Sequence, residues 1–187
     1  HAILFHVLPH MDPVYTISII PTGMGAAGYT MPLPDNDEMF NTKNKMLEDI
    51  TTLLGGRVAE EIIFGDITTG ASNDIKRATE TARSMVMKYG MSEKIGLIAY
   101  GNDDDEVFIG RDLAHTRGYS EEVAREIDGE ISRIIRECHE NAESIIRENI
   151  GVLHSCAALL LEKEKIHREE FEALFTTEKE EVAKTNE

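Results

Sequence analysis

The sequence predicts a mainly α-helical α+β domain, in which a bundle of helices carries a small β-hairpin or sheet near the N-terminus. Apolar residues recur at helical spacing from Thr42 onward, and two further stripes of this kind follow Ser120. One run rich in β-branched residues, at positions 14–20, predicts a strand, and Tyr29-Thr30-Met31 predicts a short partner strand. A single hairpin is not stable alone in water, so we expect it to pack on the helices.

Composition and charge exclude several classes of protein. The 187 residues include 35 acidic and 19 basic side chains, which gives a formal net charge of −16. Such a charge argues against binding nucleic acid through its phosphates and against docking on an anionic membrane. The two cysteines, Cys138 and Cys156, fall in helical patterns rather than in a disulfide or zinc framework. The composition is typical of a soluble, acidic globular domain.

The order of elements suggests one domain over residues 1–175. Residues 1–34 contain the end of an apolar helix, stopped by Pro9, followed by the hairpin. Because that helix has no beginning in this sequence, we expect the chain to have been cut from a longer one. Helices are predicted over residues 42–90 and 120–175, with Ile166 in the last short helix. The charged residues 176–187 are expected to form a disordered tail.

Local signals define the ends of the predicted helices. Thr42 and Ser120 are suitable N-caps, and Gly65 is a suitable helix stop. The pair Gly55-Gly56 lies inside the first long helix, where each glycine costs about 1 kcal/mol relative to alanine. We therefore expect another part of the backbone to approach the helix closely at this pair.

Few side chains suggest chemistry without further information. His6 and His10 have the i, i+4 spacing of a zinc-binding pair, but Pro9 breaks the helix between them. Asp74 stands at the entrance of a helix, where a carboxylate is favoured by the helix dipole, so a capping role is the simpler interpretation. Of Glu60 and Glu61, one is expected to lean toward the apolar flank of its helix and to orient a neighbour.

Six ordered runs of residues carry a more specific signal, and together they resemble the peptidase domain of the FtsH family of membrane-anchored, ATP-dependent zinc metalloproteases. The resemblance extends from residue 1 to about residue 175. The runs are Ile19-Ile20-Pro21, Gly28-Tyr29-Thr30-Met31-Pro32-Leu33-Pro34, Leu54-Gly55-Gly56-Arg57-Val58-Ala59-Glu60-Glu61-Ile62, Thr68-Thr69-Gly70-Ala71-Ser72-Asn73-Asp74, Tyr89-Gly90-Met91-Ser92 and Phe108-Ile109-Gly110-Arg111.

The resemblance implies a zinc site that this sequence contains only in part. His1-Ala2-Ile3 is similar to the second histidine of the family's H-E-x-x-H motif and the residues after it. The first histidine and the general-base Glu are expected upstream of His1, so no catalytic residue is assigned here. His1 and Asp74 are the expected metal ligands, and Glu60 is a candidate acid that orients a ligand without binding the metal itself. Thr22 departs from the family, in which many relatives have Arg.

The resemblance also implies a mode of substrate binding. Proteases that degrade many sequences hold their substrate as an added strand, through backbone hydrogen bonds that ignore side-chain identity. The residues expected to bind substrate in this way are Val14, Tyr15, Thr16, Ile17, Ser18, Ile19 and Ile20.

The implied parent protein degrades unfolded or membrane proteins. It uses zinc, for which this chain contains only part of the ligand set. It also uses ATP with Mg²⁺, in an upstream ATPase domain. Hexameric rings and an anchor at the cytoplasmic face of a bacterial inner membrane are family properties, and the anchor would precede this sequence. No nucleic-acid partner is expected. An alternative is a non-catalytic helical oligomerisation or adaptor domain, supported by the long C-terminal helices, the acidic surface and the incomplete set of ligands.

Overall fold

A computed structural model describes residues 1–21, 28–34, 39–100 and 118–185, with side chains up to Thr176. The mainly helical α+β class is confirmed in these residues. In chain order the elements are α1 (Ala2–Val7), β1 (Val14–Ser18), β2 (Tyr29–Pro32), α2 (Lys43–Phe64), α3 (Ser72–Met87), α4 (Glu121–Glu148), α5 (Ile150–Lys163), β3 (Lys165–His167) and α6 (Arg168–Thr185).

The three strands form one antiparallel sheet in the order β2-β1-β3. Ile17 of β1 lies opposite Thr30 of β2 and opposite Ile166 of β3, so β1 is the middle strand. β3 was not predicted, because its three residues are too few to show a period and Ile166 fitted the helical stripe after it. Glu164, with a φ of 61°, turns the chain out of α5 and into this strand.

The caps predicted for the long helices are confirmed. The hydroxyl of Thr42 accepts a hydrogen bond from the backbone N–H of Lys45 at 3.2 Å, and Gly65 ends α2 in the left-handed conformation. The hydroxyl of Ser120 accepts one from Val123 at 3.3 Å at the start of α4. These bonds satisfy backbone donors of the first turn, which have no partner within the helix.

Among the residues that the structure describes, two apolar clusters form the core, and α4 contributes to both. One cluster joins α1, the sheet, α5, α6 and the C-terminal half of α4, with Leu4 and Ile166 fully buried. The other joins α2, α3 and the N-terminal half of α4, with Ile50 and Met85 fully buried. Because α4 spans both, it fixes the first cluster relative to the second.

A buried polar contact anchors the segment that follows α3. The hydroxyl of Ser92 donates a hydrogen bond of 2.5 Å to the carboxylate of Glu130 in α4. Arg133 donates two more hydrogen bonds to the same carboxylate, and its guanidinium is the main cause that lowers the pKa of Glu130. The run Tyr89-Gly90-Met91-Ser92 is therefore held against α4 by a charge-assisted contact.

The C-terminal elements differ in detail from the sequence expectation. The break between α4 and α5 lies at Asn149, and Gly151 is within α5. α6 continues to Thr185, into the segment expected to be a disordered tail.

Within the described ranges, no single helix is long and apolar enough to cross a bilayer. The pair α4 and α5, bent by 74°, would be so by length and composition only.

Candidate metal and substrate site

His1 stands at the start of α1 with both ring nitrogens directed at other parts of the molecule. Nδ1 lies 2.8 Å from the backbone carbonyl oxygen of Thr52 in α2. Nε2 lies 3.7 Å from Oδ2 of Asp74 in α3. A carbonyl that accepts the Nδ1 proton leaves Nε2 as the nitrogen with a free lone pair, which is the usual arrangement for a histidine that binds a metal.

Gly55 and Gly56 allow α1 to lie against α2. A Cβ atom on Gly55 would lie 2.5 Å from Cδ1 of Leu4 and 3.4 Å from the backbone nitrogen of His1. A Cβ atom on Gly56 would lie 2.8 Å from Nε2 of His1. The close approach predicted from the glycine pair is confirmed, and it is the reason that the His1 ring can face Asp74.

Asp74 lies in the first turn of α3, so its carboxylate benefits from the helix dipole as the sequence suggested. It also lies 3.9 Å from the guanidinium of Arg77, one turn later. The side chains of Asp74 and His1 remain 26% and 34% exposed, which makes the space between them accessible to solvent. The capping position and a ligand position are therefore compatible in this residue.

Glu60 acts on the loop that leads into α3. Its carboxylate accepts hydrogen bonds from the backbone N–H and the hydroxyl of Thr68, at 3.0 and 2.6 Å. These bonds, the hydroxyl first, lower the pKa of Glu60. Arg57 donates to the carbonyl oxygen of Thr68 at 2.8 Å. Both side chains bind Thr68, so Glu60 is connected to Asp74 through the loop that leads into α3.

An open groove of about 1010 Å³ runs past His1 and Asp74. Residues of the edge strand β2 and of the helices α1, α2 and α3 line this groove. Its lining residues are His1, Phe5, Met11, Gly28, Tyr29, Thr30, Pro32, Asp49, Thr52, Leu53, Gly70, Asn73, Asp74, Arg77 and Thr81.

The position of β1 corrects the expected substrate strand. Thr16, Ile17 and Ser18 are paired with β2 on one side and with β3 on the other, so an added strand cannot hydrogen bond to them. Val14, Tyr15, Ile19 and Ile20 flank this doubly paired stretch and are absent from the groove lining. The strand that faces the groove is β2, which pairs only with β1 among the described residues.

The donor pair fits a zinc ion in distance and chemistry. Two ligand atoms on a tetrahedral zinc, each about 2.0–2.1 Å from the metal, are separated by roughly 3.4 Å, close to the observed 3.7 Å. In the part of the chain that the structure describes, no group of three or more His, Cys, Asp or Glu side chains is placed to hold one metal. His1 and Asp74 are therefore a pair of side chains that could contribute to a zinc site, in which three protein ligands are usual.

The remaining candidates of the sequence lie elsewhere. The ring of His6 stacks on Phe175 at 4.0 Å between centroids, and Nδ1 of His10 lies 2.6 Å from Glu48. Thr22 and the run Phe108-Ile109-Gly110-Arg111 fall outside the described residues. Sequence reasoning missed the Thr52 carbonyl and the edge of β2. A backbone acceptor has no residue signature, but the nearby glycine pair indicated a close contact at that point of α2.

A histidine and a carboxylate that meet at an open groove, beside a strand edge left unpaired by the described residues, fit a metallopeptidase domain. The profile of peptidase family M41 matches residues 1–174, and the chain belongs to this family as an FtsH-type zinc metallopeptidase domain.

Curated relatives carry the same description. The chain is 53% identical over 178 residues to "ATP-dependent zinc metalloprotease FtsH 1" of Thermoanaerobacter sp. (strain X514), which covers 95% of this chain and 29% of the relative. It is 54% identical to "ATP-dependent zinc metalloprotease FtsH" of Caldicellulosiruptor bescii, over 93% of this chain and 28% of the relative. The chain is 47% identical to "ATP-dependent zinc metalloprotease FtsH" of Thermotoga maritima, over 97% of this chain and 30% of the relative. The chain thus spans less than a third of the length of these relatives.

Proposed function

We propose that this chain is the zinc- and peptide-binding part of an ATP-dependent endopeptidase that degrades unfolded or membrane proteins. The observation that carries the proposal is the pair formed by Nε2 of His1 and Oδ2 of Asp74, 3.7 Å apart at the groove. The names of the relatives support the same chemistry.

In this proposal His1 and Asp74 hold the zinc. When bound, zinc polarises the scissile carbonyl and lowers the pKa of a bound water. The Thr52 carbonyl accepts the Nδ1 proton of His1 and so keeps the lone pair of Nε2 directed toward Asp74. Glu60 and Arg57, by holding Thr68, keep the start of α3 at the distance at which Asp74 can share the ion with His1.

The edge of β2 is the proposed binding site for substrate. A peptide that adds to Tyr29–Pro32 would run along the groove and pass His1 and Asp74. Its affinity would come from main-chain hydrogen bonds, which suits an enzyme that acts on many sequences. This assignment replaces β1, whose residues 16–18 have no unpaired backbone edge.

The remaining ligand and the general base are expected from residues that precede His1 in the family's H-E-x-x-H motif. In this proposal the first histidine of the motif is the third ligand, and its glutamate takes a proton from water. Any polypeptide without those two residues is expected to have little or no peptidase activity.

The wider setting rests on the family. We propose that the parent contains an ATPase domain that uses Mg²⁺ and ATP, assembles as a hexameric ring, and is anchored in a bacterial inner membrane by segments outside this sequence. The non-catalytic adaptor alternative is not favoured, because the matched relatives are named as metalloproteases.

The test uses the protein expressed from the complete gene, in the wild-type form and as Asp74→Ala. We expect about one zinc per chain in the wild type, measured by mass spectrometry of the metal. The variant should lose both the zinc and the ability to cleave an unfolded protein. Asp128→Ala, which removes an exposed carboxylate from α4, is the matched control and should keep both properties. An Asp74→Ala protein that still binds one zinc would remove Asp74 from the ligand set.

A further inference from the structure

Besides His1 and Asp74, the groove is lined by a carboxylate that has no assigned role. Asp49 is half-buried on α2 and lines the same groove as His1 and Asp74. It precedes Gly56, which touches the His1 ring, by two helical turns, or about 10 Å along the helix axis. This is a distance that a long substrate side chain can bridge when its backbone lies near His1.

The surroundings of Asp49 combine apolar walls with a charged end. Phe5, Met11 and Leu53 line the same groove, and Leu53 lies one turn after Asp49 on the same face of α2. A lysine or arginine side chain has this character, with an apolar stem and a cationic head. An acidic side chain would meet like charge there.

The charged neighbours leave the Asp49 carboxylate available. Burial is the main cause that raises its pKa, while Lys45 and Arg77 act in the opposite direction and Asp12 and Glu48 add to the increase. Glu48 is bound by the backbone N–H and ring of His10, and Arg77 lies 3.9 Å from Asp74. Within the described ranges, no hydrogen bond or ion pair engages Asp49 itself.

We propose that Asp49 is a specificity-determining residue that favours substrates with a lysine or arginine close to the scissile bond and disfavours those with an acidic residue there. The inference rests on the proposed function, since it assumes that a peptide strand lies on β2. Alternate side chains of such a strand point to the same face, so one of them would be directed at the wall that contains Asp49.

The experiment compares peptides that differ at one position. The zinc-loaded protein from the complete gene is given three fluorogenic peptides with lysine, norleucine or glutamate at that position, in two sets that place it on either side of the scissile bond. We expect the wild type to cleave the lysine peptide faster than the glutamate peptide in one set. Asp49→Asn should lower the ratio of the two kcat/KM values roughly fivefold, the effect of one partly exposed charge contact. Asp49→Lys should lower it further.

Two controls separate specificity from damage to the fold. Asp49→Asn should change cleavage of the norleucine peptide much less than cleavage of the lysine peptide, because the norleucine side chain makes no charge contact with residue 49. Glu80→Gln removes an exposed carboxylate of α3 that does not line the groove, and it should leave all ratios unchanged.

The outcomes distinguish the two proposals. If norleucine peptides are cleaved normally and Asp49→Asn leaves the lysine-to-glutamate ratio unchanged in both sets, the role of Asp49 is wrong and the peptidase proposal stands. If the wild type binds zinc but cleaves none of the peptides or an unfolded protein, the peptidase proposal fails and the role of Asp49 fails with it.

Discussion

Gly56 lies directly against the imidazole of His1, so that a Cβ atom on this glycine would be 2.8 Å from Nε2. At that distance something must shift, and the nearest atom is Nε2 of the His1 ring, which faces Asp74. The arrangement of His1 beside Asp74 therefore requires glycine at position 56, although this residue has no side chain that could take part in the chemistry.

We predict that Gly56→Ala weakens zinc binding while the protein remains folded. Displacing a ligand ring should lower zinc affinity by about tenfold or more, in the range of changes to groups that orient a ligand. Zinc titration of the protein from the complete gene, alongside thermal unfolding without metal, measures the two effects separately.

Gly129→Ala is the matched control for this substitution. Gly129 also lies inside a long helix, α4, but a Cβ atom there meets nothing within 4 Å. Alanine should stabilise the fold by roughly 0.5–1 kcal/mol, because glycine is the poorer helix former, and should leave zinc affinity unchanged. Equal zinc affinities in the two variants would contradict the role given to Gly56.

The link between Glu60 and Thr68 predicts a pH-dependent loop. The Thr68 hydroxyl, and then its N–H, lower the pKa of Glu60 below 4.5. The stabilising contribution of a carboxylate with a lowered pKa is present above its unfolded value and is lost as the pH falls through the folded value. We expect the Thr68 amide to exchange with solvent faster, relative to its intrinsic rate, as the pH drops below 4.5.

Amide hydrogen exchange followed by NMR measures this effect. The Val123 amide is an internal control, because it donates to the neutral hydroxyl of Ser120, which does not titrate in this range. Glu60→Gln should abolish the dependence at Thr68. A Thr68 amide that keeps its protection well below pH 4.5 would contradict the hydrogen bond as described.

The burial of Phe171 predicts that α6 contributes strongly to the stability of the fold. Its side chain is 1% exposed and packs in the cluster that also contains Ile3 and Leu4 of α1. Phe171→Ala should lower the free energy of unfolding by about 3–5 kcal/mol, through lost burial and the cavity left behind. Leu161→Ala, at a position 79% exposed, should change it by less than about 0.5 kcal/mol. Denaturant unfolding gives both values, and similar values for the two variants would place Phe171 outside the core.

Burial of the two cysteines predicts slow thiol chemistry. Burial raises the pKa of Cys156 to about 11 and also raises the pKa of Cys138. At pH 8 about one Cys156 thiol in a thousand would be the reactive thiolate. A disulfide reagent such as 5,5′-dithiobis(2-nitrobenzoate) should therefore label the folded protein slowly and the denatured protein at once. Rapid labelling of a folded Cys156→Ser protein would show that Cys138 is accessible.

Several features were accessible from the sequence because their causes are local. The caps at Thr42 and Ser120 and the stop at Gly65 were predicted from residue types whose side chains or backbone satisfy nearby groups. Asp74 was placed at a helix entrance for the same kind of reason. The glycine pair of α2 showed that something must pass close by, without indicating what.

The sequence by itself determined the helical periods, their caps and the family, since each depends on residues that are near one another in the chain or on an ordered set of motifs. The tertiary structure alone decided that β1 is enclosed between β2 and β3, that β2 has the edge facing the groove, and that Asp49 lies beside that groove. It also decided the 3.7 Å between His1 and Asp74. These relationships join residues far apart in sequence, and they depend on how the two apolar clusters pack around α4, which no local pattern records.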